Sequence, residues 1–209
     1  ATLQHTPTLA GELGEVMLKS MGEPGGILES TLGQATAAFN AWVKVDPNTA
    51  WSRISARIEE RGRASLALSW WLRPEHTGFN RSNPDESGVR LFPPDVIMKW
   101  ISEKPQGRAP IVVGFVEVDL APGTLATRLL ELYGDSKAVR SALSGNWFTG
   151  SFSGSEAEHV RSKAAKLRAW KEKTANTNVL RWLNDELARA EQELETARGG
   201  EERWGGEAL

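Results

Sequence analysis

The stretch APIVVGFVEVDL, residues 109–120, decides the fold class of this chain. It is rich in β-branched residues, and its second half alternates apolar and acidic side chains, which is typical of an exposed strand. The β-branched positions are Ile111, Val112, Val113, Val116 and Val118. A strand here would have no second β-like run to pair with, and unpaired backbone donors and acceptors are costly to bury.

As a helix, the same stretch is amphipathic, with Pro110 in its first turn and Phe115 beside its apolar face. The residues on that face are Ala109, Val112, Val113, Val116 and Leu120. Tertiary burial overrides the weak helix propensity of valine. We therefore predict a buried helix over 109–120 and, with it, an all-α fold.

Helical spacing of apolar residues recurs along the rest of the chain. Further predicted helices span 8–22, 27–45, 47–60, 63–72, 95–104, 124–134, 136–143, 156–173 and 178–198. Asp46 and Ser155 are predicted N-caps, and Ser155 has the spacing of a capping box with Glu158.

Turn-forming residues define the segments between these helices. Residues 74–92 and 144–155 are predicted loops, and 199–209 is predicted to be a loose C-terminal tail. Residues 1–198 are accordingly predicted to form a single helical-repeat domain.

Tryptophan residues recur near predicted helix ends in a way that suggests a degenerate repeat. Trp42 and Trp100 are each followed five residues later by a proline, Pro47 and Pro105, that opens a new helix, and Trp170 precedes a similar turn. Stacked antiparallel helix pairs with decayed spacing are typical of an α-solenoid. An irregular helical bundle is the alternative.

At these residues the chain resembles HEAT-like α-helical repeat regions. Residues 126–204 are similar to the C-terminal part of large multidomain bacterial proteins linked to NTPases or nucleases, some of them associated with antiviral (anti-phage) defence. The resemblance lies in LLELYGD (129–135), VRSAL (139–143), WFTGS (147–151), RWL (181–183) and the Glu-rich helix end. It implies recognition or scaffolding rather than a chemistry.

Composition narrows the classes of partner and compartment. The net charge is −2, so no global charge drives the chain toward nucleic acid or an anionic membrane. The absence of cysteine excludes a disulfide scaffold and a zinc–thiolate site and is compatible with a cytoplasmic protein. No apolar run reaches the roughly 20 residues of a membrane helix. The chain begins with Ala1 rather than Met, which suggests a piece of a longer protein.

Patterns that carry chemistry are sparse. His5, His76 and His159 have no metal-ligand spacing, and no phosphate-binding loop or nucleophile motif is present. Paired carboxylates such as Glu59–Glu60 are expected on solvated faces. We therefore predict no catalytic residues, no metal and no cofactor.

Two basic features are candidate nucleic-acid contacts. One is a stripe at four-residue spacing, formed by Arg53, Arg57 and Arg61, and the other is a cluster in the predicted helix 156–173. The cluster consists of Arg161, Lys163, Lys166, Arg168, Lys171 and Lys173. The alternative is a solvated face, or ion pairs with the acidic last helix through Asp185, Glu186, Glu191, Glu193 and Glu195.

Aromatic residues in the predicted loops are candidate partner contacts: Phe79, Trp147, Phe148 and Phe152. Such rings also plug the space between helix pairs. The sequence therefore predicts a non-catalytic helical-repeat module whose partner is another protein or another domain of its parent chain. A nucleic-acid-binding helical module that uses the basic residues is the alternative.

Overall fold

The computed structural model describes residues 7–20, 32–60, 62–73, 88–148 and 155–205. Within these ranges it contains ten α-helices, one 3-10 turn at Gly88–Leu91 and no β-strand, so the all-α prediction is confirmed. The helices are α1 (Pro7–Ser20), α2 (Leu32–Val45), α3 (Pro47–Glu59), α4 (Arg63–Leu72), α5 (Pro94–Glu103), α6 (Pro105–Val113), α7 (Leu125–Tyr133), α8 (Lys137–Phe148), α9 (Glu156–Lys171) and α10 (Thr177–Gly205). None of these helices combines the length and the apolar character that a membrane crossing requires.

The N-caps predicted at Asp46 and Ser155 are confirmed, whereas Thr8, also predicted as a cap, lies inside α1, which begins at Pro7. The Asp46 carboxylate accepts a hydrogen bond from the Thr49 backbone N–H at 3.0 Å, and the Ser155 hydroxyl accepts one from the Glu158 N–H at 3.2 Å. Each cap satisfies a donor that the first helical turn leaves without an intrahelical partner.

The helix predicted over 109–120 is wrong in its bounds. Helix α6 begins at Pro105 and ends at Val113, so Pro110 lies inside it and residues 116–120 are neither helix nor strand. The Phe115 and Val116 N–H groups bond three residues back, which tightens the end of the helix. Asp119 then accepts from the Ala121 N–H at 2.9 Å and offers the chain a turn in place of another helical turn.

The burial expected of this stretch is nevertheless confirmed. Its six apolar positions named for the core are buried: Ala109, Val112, Val113, Phe115, Val116 and Leu120. Helical periodicity thus identified these six buried side chains, although residues 116–120 are not helical. Val118, which lies off the predicted face, is also buried.

Two other segment boundaries also differ from prediction. Residues 144–148, predicted as the start of a loop, continue α8 to Phe148, and the last helix continues to Gly205 instead of ending at 198, so 199–205 are not a loose tail. Of the predicted loop 74–92, residues 88–91 form the 3-10 turn, and 74–87 lie outside the described residues.

The chain divides into two compact units, residues 1–117 and 118–209. The single domain over 1–198 and the solenoid arrangement stay predictions.

The core of the first unit contains a row of aromatic rings contributed by α2, α4, the segment after the 3-10 turn, α3 and α5. Ring centroids are 5.1 Å apart for Phe39–Trp71, 6.3 Å for Trp71–Phe92, 5.0 Å for Trp51–Phe92 and 5.5 Å for Trp51–Trp100. Three of these four pairs are edge-to-face and the fourth, Phe39–Trp71, is tilted; aromatic quadrupoles favour edge-to-face contact.

The spacing of apolar residues predicts that α1 packs through Leu9, Leu13, Val16 and Met17, but the helix packs through a different face. Its buried residues include Ala10, Gly14 and Leu18, whereas Leu9 and Val16 are exposed. Gly14 explains the choice, because a Cβ built there would lie 2.2 Å from the Trp42 ring. The missing side chain lets α1 approach the buried Trp42 of α2.

The second unit is organised around the long helix α10, which packs against α9 and α7. The spacing of apolar residues in the sequence predicts an inner face of α9, and all four of its residues are buried: Ala157, Val160, Ala164 and Leu167. On α10 the buried positions are Val179, Trp182, Leu183, Glu186, Leu187 and Ala190. The carboxyl of Glu186 is therefore on an otherwise apolar face.

The close approach of α1 to Trp42 is tested by Gly14→Ala, with Gly11→Ala as the matched control. At Gly11 the nearest Trp42 atom is 3.5 Å from a built Cβ, which is ordinary contact. We expect Gly11→Ala to raise the free energy of unfolding by up to about 1 kcal/mol, because alanine favours helix. Gly14→Ala should lower it by about 1–3 kcal/mol through overpacking. Urea unfolding measures both, and equal effects at the two sites would contradict the packing.

Candidate functional site

A groove between α3 and α5 is the candidate site of the first unit. Its volume is about 390 Å³. Its lining comes mainly from one face of each helix and from one residue of α6: Asn48, Trp51, Ser52, Ser55, Ala56, Glu59, Val96, Lys99, Trp100, Glu103 and Arg108.

Helical periodicity places these residues together. On α3, Asn48, Ser52, Ser55 and Glu59 follow one another at steps of three or four, which puts them on one face. Small or short polar side chains therefore form this wall. Trp51 and Trp100 are buried and meet edge to face at an interplanar angle of 87°.

Arg108 closes one end of the groove and holds three elements together. Its Nε donates to Glu59 at 2.8 Å, and its Nη1 donates to Glu103 and to the Trp100 carbonyl, both at 2.6 Å. The guanidinium also lies 4.4 Å from the centre of the Trp100 ring. The Trp100 carbonyl belongs to the last turn of α5, so Arg108 caps that helix as well as pairing with two carboxylates.

The electrostatics of this cluster follow from those contacts. The hydrogen bond from Arg108 holds the pKa of Glu59 below its usual range, and the bond to Glu59 raises the pKa of Arg108. Arg108 is buried, whereas Glu103 is mostly exposed at the rim. Lys99, also exposed, adds a positive charge to the lining.

Sequence reasoning missed Arg108, although a signal was present. Arg108 lies four residues before Val112 and one before Ala109, on the buried face of α6. A cation on such a face requires carboxylates nearby. Glu59 lies on an exposed face, as expected, and accepts a hydrogen bond from Arg108 there.

The predicted Arg stripe on α3 is engaged with α1 where the structure describes it. Arg53 pairs with Glu15 at 2.8 Å, and Arg57 donates to the Leu18 carbonyl at 3.2 Å. Arg57 also contacts the Lys19 carbonyl at 3.4 Å and Glu60 at 2.6 Å. Arg61 lies outside the described residues. Arg57 thus closes the C-terminal end of α1.

The predicted basic cluster on α9 divides into two groups. Arg168 lies 3.7 Å from Glu191 of α10. Burial lowers the pKa of Lys163, and Glu193 and Glu186 partly offset that effect. These two cations therefore face the acidic side of α10, although Arg168 is itself exposed. The other four are also exposed: Arg161, Lys166, Lys171 and Lys173.

The predicted aromatic contacts have different locations. Trp147 lies on the last turn of α8 and meets Trp170 of α9 with ring centroids 5.2 Å apart. Phe148 ends α8, but its side chain is not among those described. Phe79 and Phe152 lie outside the described residues.

A buried polar network links α8 and α10 in the second unit. Glu186 is fully buried and bonds to the Ser144 hydroxyl and, at 3.0 and 3.1 Å, to Arg189 Nη1. The Trp182 indole N–H donates to the same hydroxyl at 3.2 Å. Burial raises the pKa of Glu186, although Ser144 and Arg189 act in the opposite direction. Periodicity gave the signal for this site, because residue 186 follows Val179 and Leu183 on one face.

The histidines and carboxylates do not assemble into a further centre in the part of the chain that is described. His159 lies half-buried on α9, and His5 and His76 are outside the described residues. No group of three or more His, Asp or Glu side chains in those ranges is arranged to hold a metal ion.

Comparison with known proteins gives no family assignment. No protein family matches the chain, and neither a curated protein nor a solved structure shows significant similarity to it.

Arg108→Met tests how much the groove depends on the guanidinium. Methionine retains apolar contact with Trp100 but leaves Glu59, Glu103 and the Trp100 carbonyl without their donor. We expect the free energy of unfolding to fall by about 2–3 kcal/mol, less than for a fully buried pair because both carboxylates are partly exposed. Arg53→Met, which removes an exposed ion pair, should cost less than about 1 kcal/mol.

The same variant has a defined pH dependence. Arg108 lowers the pKa of Glu59 in the folded protein. The stabilisation from the Arg108–Glu59 pair is therefore fully present above the unfolded glutamate pKa of about 4.3, and it is lost as the pH falls through the lower pKa of the folded state. Urea unfolding from neutral pH to pH ~3 should show the wild-type advantage shrinking over that interval. An advantage that grew on acidification would contradict the assigned pairing.

Glu186→Gln tests the buried carboxyl of the second unit. The native pKa is raised, so the wild type should lose stability relative to the variant as the pH rises above about 4.3, until the native carboxyl is ionised. The difference in free energy of unfolding between the two proteins, measured in urea at several pH values, reports this. Glu195→Gln, at an exposed position of α10, controls for loss of a carboxylate. A difference in free energy of unfolding between wild type and Glu186→Gln that did not change with pH would contradict the raised pKa of Glu186.

Proposed function

We propose that this chain is a non-catalytic helical module that recognises another protein, or another domain of its parent chain, through the α3–α5 groove. The observation that carries the proposal is the composition of the groove. Two buried tryptophans line the groove and a buried arginine closes one end of it, and these are the residue types most enriched among the energetically dominant residues of protein interfaces.

Preorganisation supports a recognition role. Trp51 is in contact with Phe92 on one side and Trp100 on the other, and Arg108 lies against Trp100. Trp51 and Trp100 are nearly buried, so they form a rigid support beneath the groove, and little side-chain entropy is lost there on binding.

The walls of the groove leave room for an incoming segment. Asn48, Ser52 and Ala56 are exposed on the α3 side, and Lys99 and Glu103 are exposed on the α5 side. Short side chains on one wall allow close backbone approach, while charged side chains on the other provide a polar rim of the kind that surrounds interface cores.

The charge state of the groove argues against acid–base chemistry at this place. A general acid or base works best with a pKa near the operating pH. Arg108 moves the pKa of Glu59 in the opposite direction, further below neutrality. The carboxylates are committed to the guanidinium and serve to hold it.

The parentage of the module is part of the same proposal. The resemblance of residues 126–204 to HEAT-like repeat regions supports a cytoplasmic, bacterial multidomain parent, associated with antiviral defence. In such a parent, the module would act as a scaffold or recognition part.

Photo-crosslinking from the groove tests the proposed function. A benzophenone amino acid placed at position 99 in the source cells should yield an adduct of defined mass with one partner protein or one parent-chain domain. Ser52→Arg should abolish the adduct, because a long side chain then occupies the groove. Ser102→Arg on α5, which does not line the groove, should leave it unchanged. An adduct that survives Ser52→Arg, or none at all, would refute recognition at this site.

A further inference from the structure

A second surface, independent of the groove, lies on α9 in the second unit. His159, Lys163, Lys166, Trp170 and Lys173 follow one another at steps of four, three, four and three residues. Helical geometry places residues at these steps on one face, with Lys173 in the turn just past the helix end. We call Lys166, Trp170 and Lys173, together with Trp147, the α9 aromatic–basic patch.

The lysines of this patch are not used by the fold. Lys166 and Lys173 are exposed, and in the described ranges neither forms an ion pair. Lys163, earlier on the same face, is instead half-buried near Glu186 and Glu193, and Arg168 faces Glu191. The structure thus separates cations that stabilise the α9–α10 pair from cations that remain available to a partner.

The aromatic part of the patch rests on the ring contact between α8 and α9. Trp147 and Trp170 are both half-buried and tilted at 56° to each other, so each ring keeps some exposed surface. Trp170 lies one helical turn beyond Lys166, about 6 Å along the axis, and Lys173 follows. A half-buried indole is consequently flanked along the helix by a positive charge on either side.

Local acids do not cancel this charge. Glu172 is adjacent to Lys173 in sequence, but it lies about a third of a turn away from the line of Lys166 and Trp170. The pairing of Glu191 with Arg168 directs that carboxylate toward the other flank of α9.

From this arrangement we propose that the α9 aromatic–basic patch binds single-stranded nucleic acid, with bases stacked on the Trp147–Trp170 pair and phosphates at Lys166 and Lys173. Stacking of a base on an aromatic ring is worth about 1–3 kcal/mol and tolerates any sequence. Lysine neutralises phosphates without reading the base. An acidic polypeptide would use the two lysines but gains no stacking from the rings, which is why the patch favours a nucleic acid.

The test uses the full chain and a fluorescein-labelled oligothymidylate, with binding followed by fluorescence anisotropy over a range of salt concentrations. Two phosphate contacts predict a slope of log K against log salt near −1.4 for a single strand. Lys166→Gln/Lys173→Gln should weaken binding on the order of tenfold at low salt and flatten the slope. Arg161→Gln/Lys171→Gln removes the same charge from the same helix outside the patch and should leave both quantities nearly unchanged.

Trp170→Leu separates stacking from charge. Leucine keeps apolar contact with Trp147 but removes one stacking face, so oligothymidylate affinity should fall several-fold with the salt slope unchanged. Circular dichroism verifies that each variant is folded.

Three results would overturn the proposal. The first is that oligothymidylate does not bind at low salt. The second is that the two double variants weaken binding equally. The third is that labelled polyglutamate binds as tightly as oligothymidylate and that Trp170→Leu has no effect. The last result would assign the patch to an acidic protein. None of them bears on the crosslinking result at the α3–α5 groove, because the two surfaces share no residue.

Discussion

The edge-to-face contact between Trp51 and Trp100 is the interaction on which the first unit depends. Trp51 belongs to α3 and Trp100 to α5, and through Phe92 and Trp71 the row of rings continues to Phe39 on α2. Each such pair contributes about 0.5–1.5 kcal/mol beyond the area it buries. Because Trp51 and Trp100 also line the α3–α5 groove, the contact between them helps to determine the shape of the candidate site.

Arginine provides the second organising principle, because it closes helix ends in both units. Arg57 donates to a carbonyl at the end of α1, Arg73 to the Gly114 carbonyl at 3.1 Å after α6, Arg108 to the end of α5, and Arg140 to the Gly134 carbonyl at 2.7 Å after α7. The last carbonyls of a helix lack intrahelical donors and carry partial negative charge. A guanidinium with several donors satisfies them while it pairs with a carboxylate. By sequence, the arginine stripe on α3 is a candidate contact for nucleic-acid phosphates, but its member Arg57 instead caps the C-terminal end of α1.

Sequence patterns predicted the secondary structure well where a local rule operates and poorly where tertiary contacts decide. The Asp46 and Ser155 caps and the buried face of α9 follow from local chemistry and period, and all are present. The face of α1 could not be predicted, because the decisive factor is the space that Gly14 leaves for Trp42. The groove was also missed, since Arg108 acquires its role only when Glu59, distant in sequence, packs beside it.

The buried carboxyl of Glu186 shows how the second unit accommodates an ionisable group on an apolar face. The Ser144 hydroxyl has one hydrogen and three neighbours: Glu186, the Trp182 N–H and, at 2.9 Å, the Arg140 carbonyl. When Glu186 is protonated, its O–H can donate to the Ser144 hydroxyl, which then donates to the Arg140 backbone carbonyl. When Glu186 is ionised, the Ser144 hydroxyl donates to the carboxylate, which also accepts from Arg189. Either protonation state is therefore hydrogen-bonded, so the network keeps α8 joined to α10 through the titration of Glu186. Burial disfavours the charged state without leaving the neutral state unsatisfied, which is the physical origin of the raised pKa.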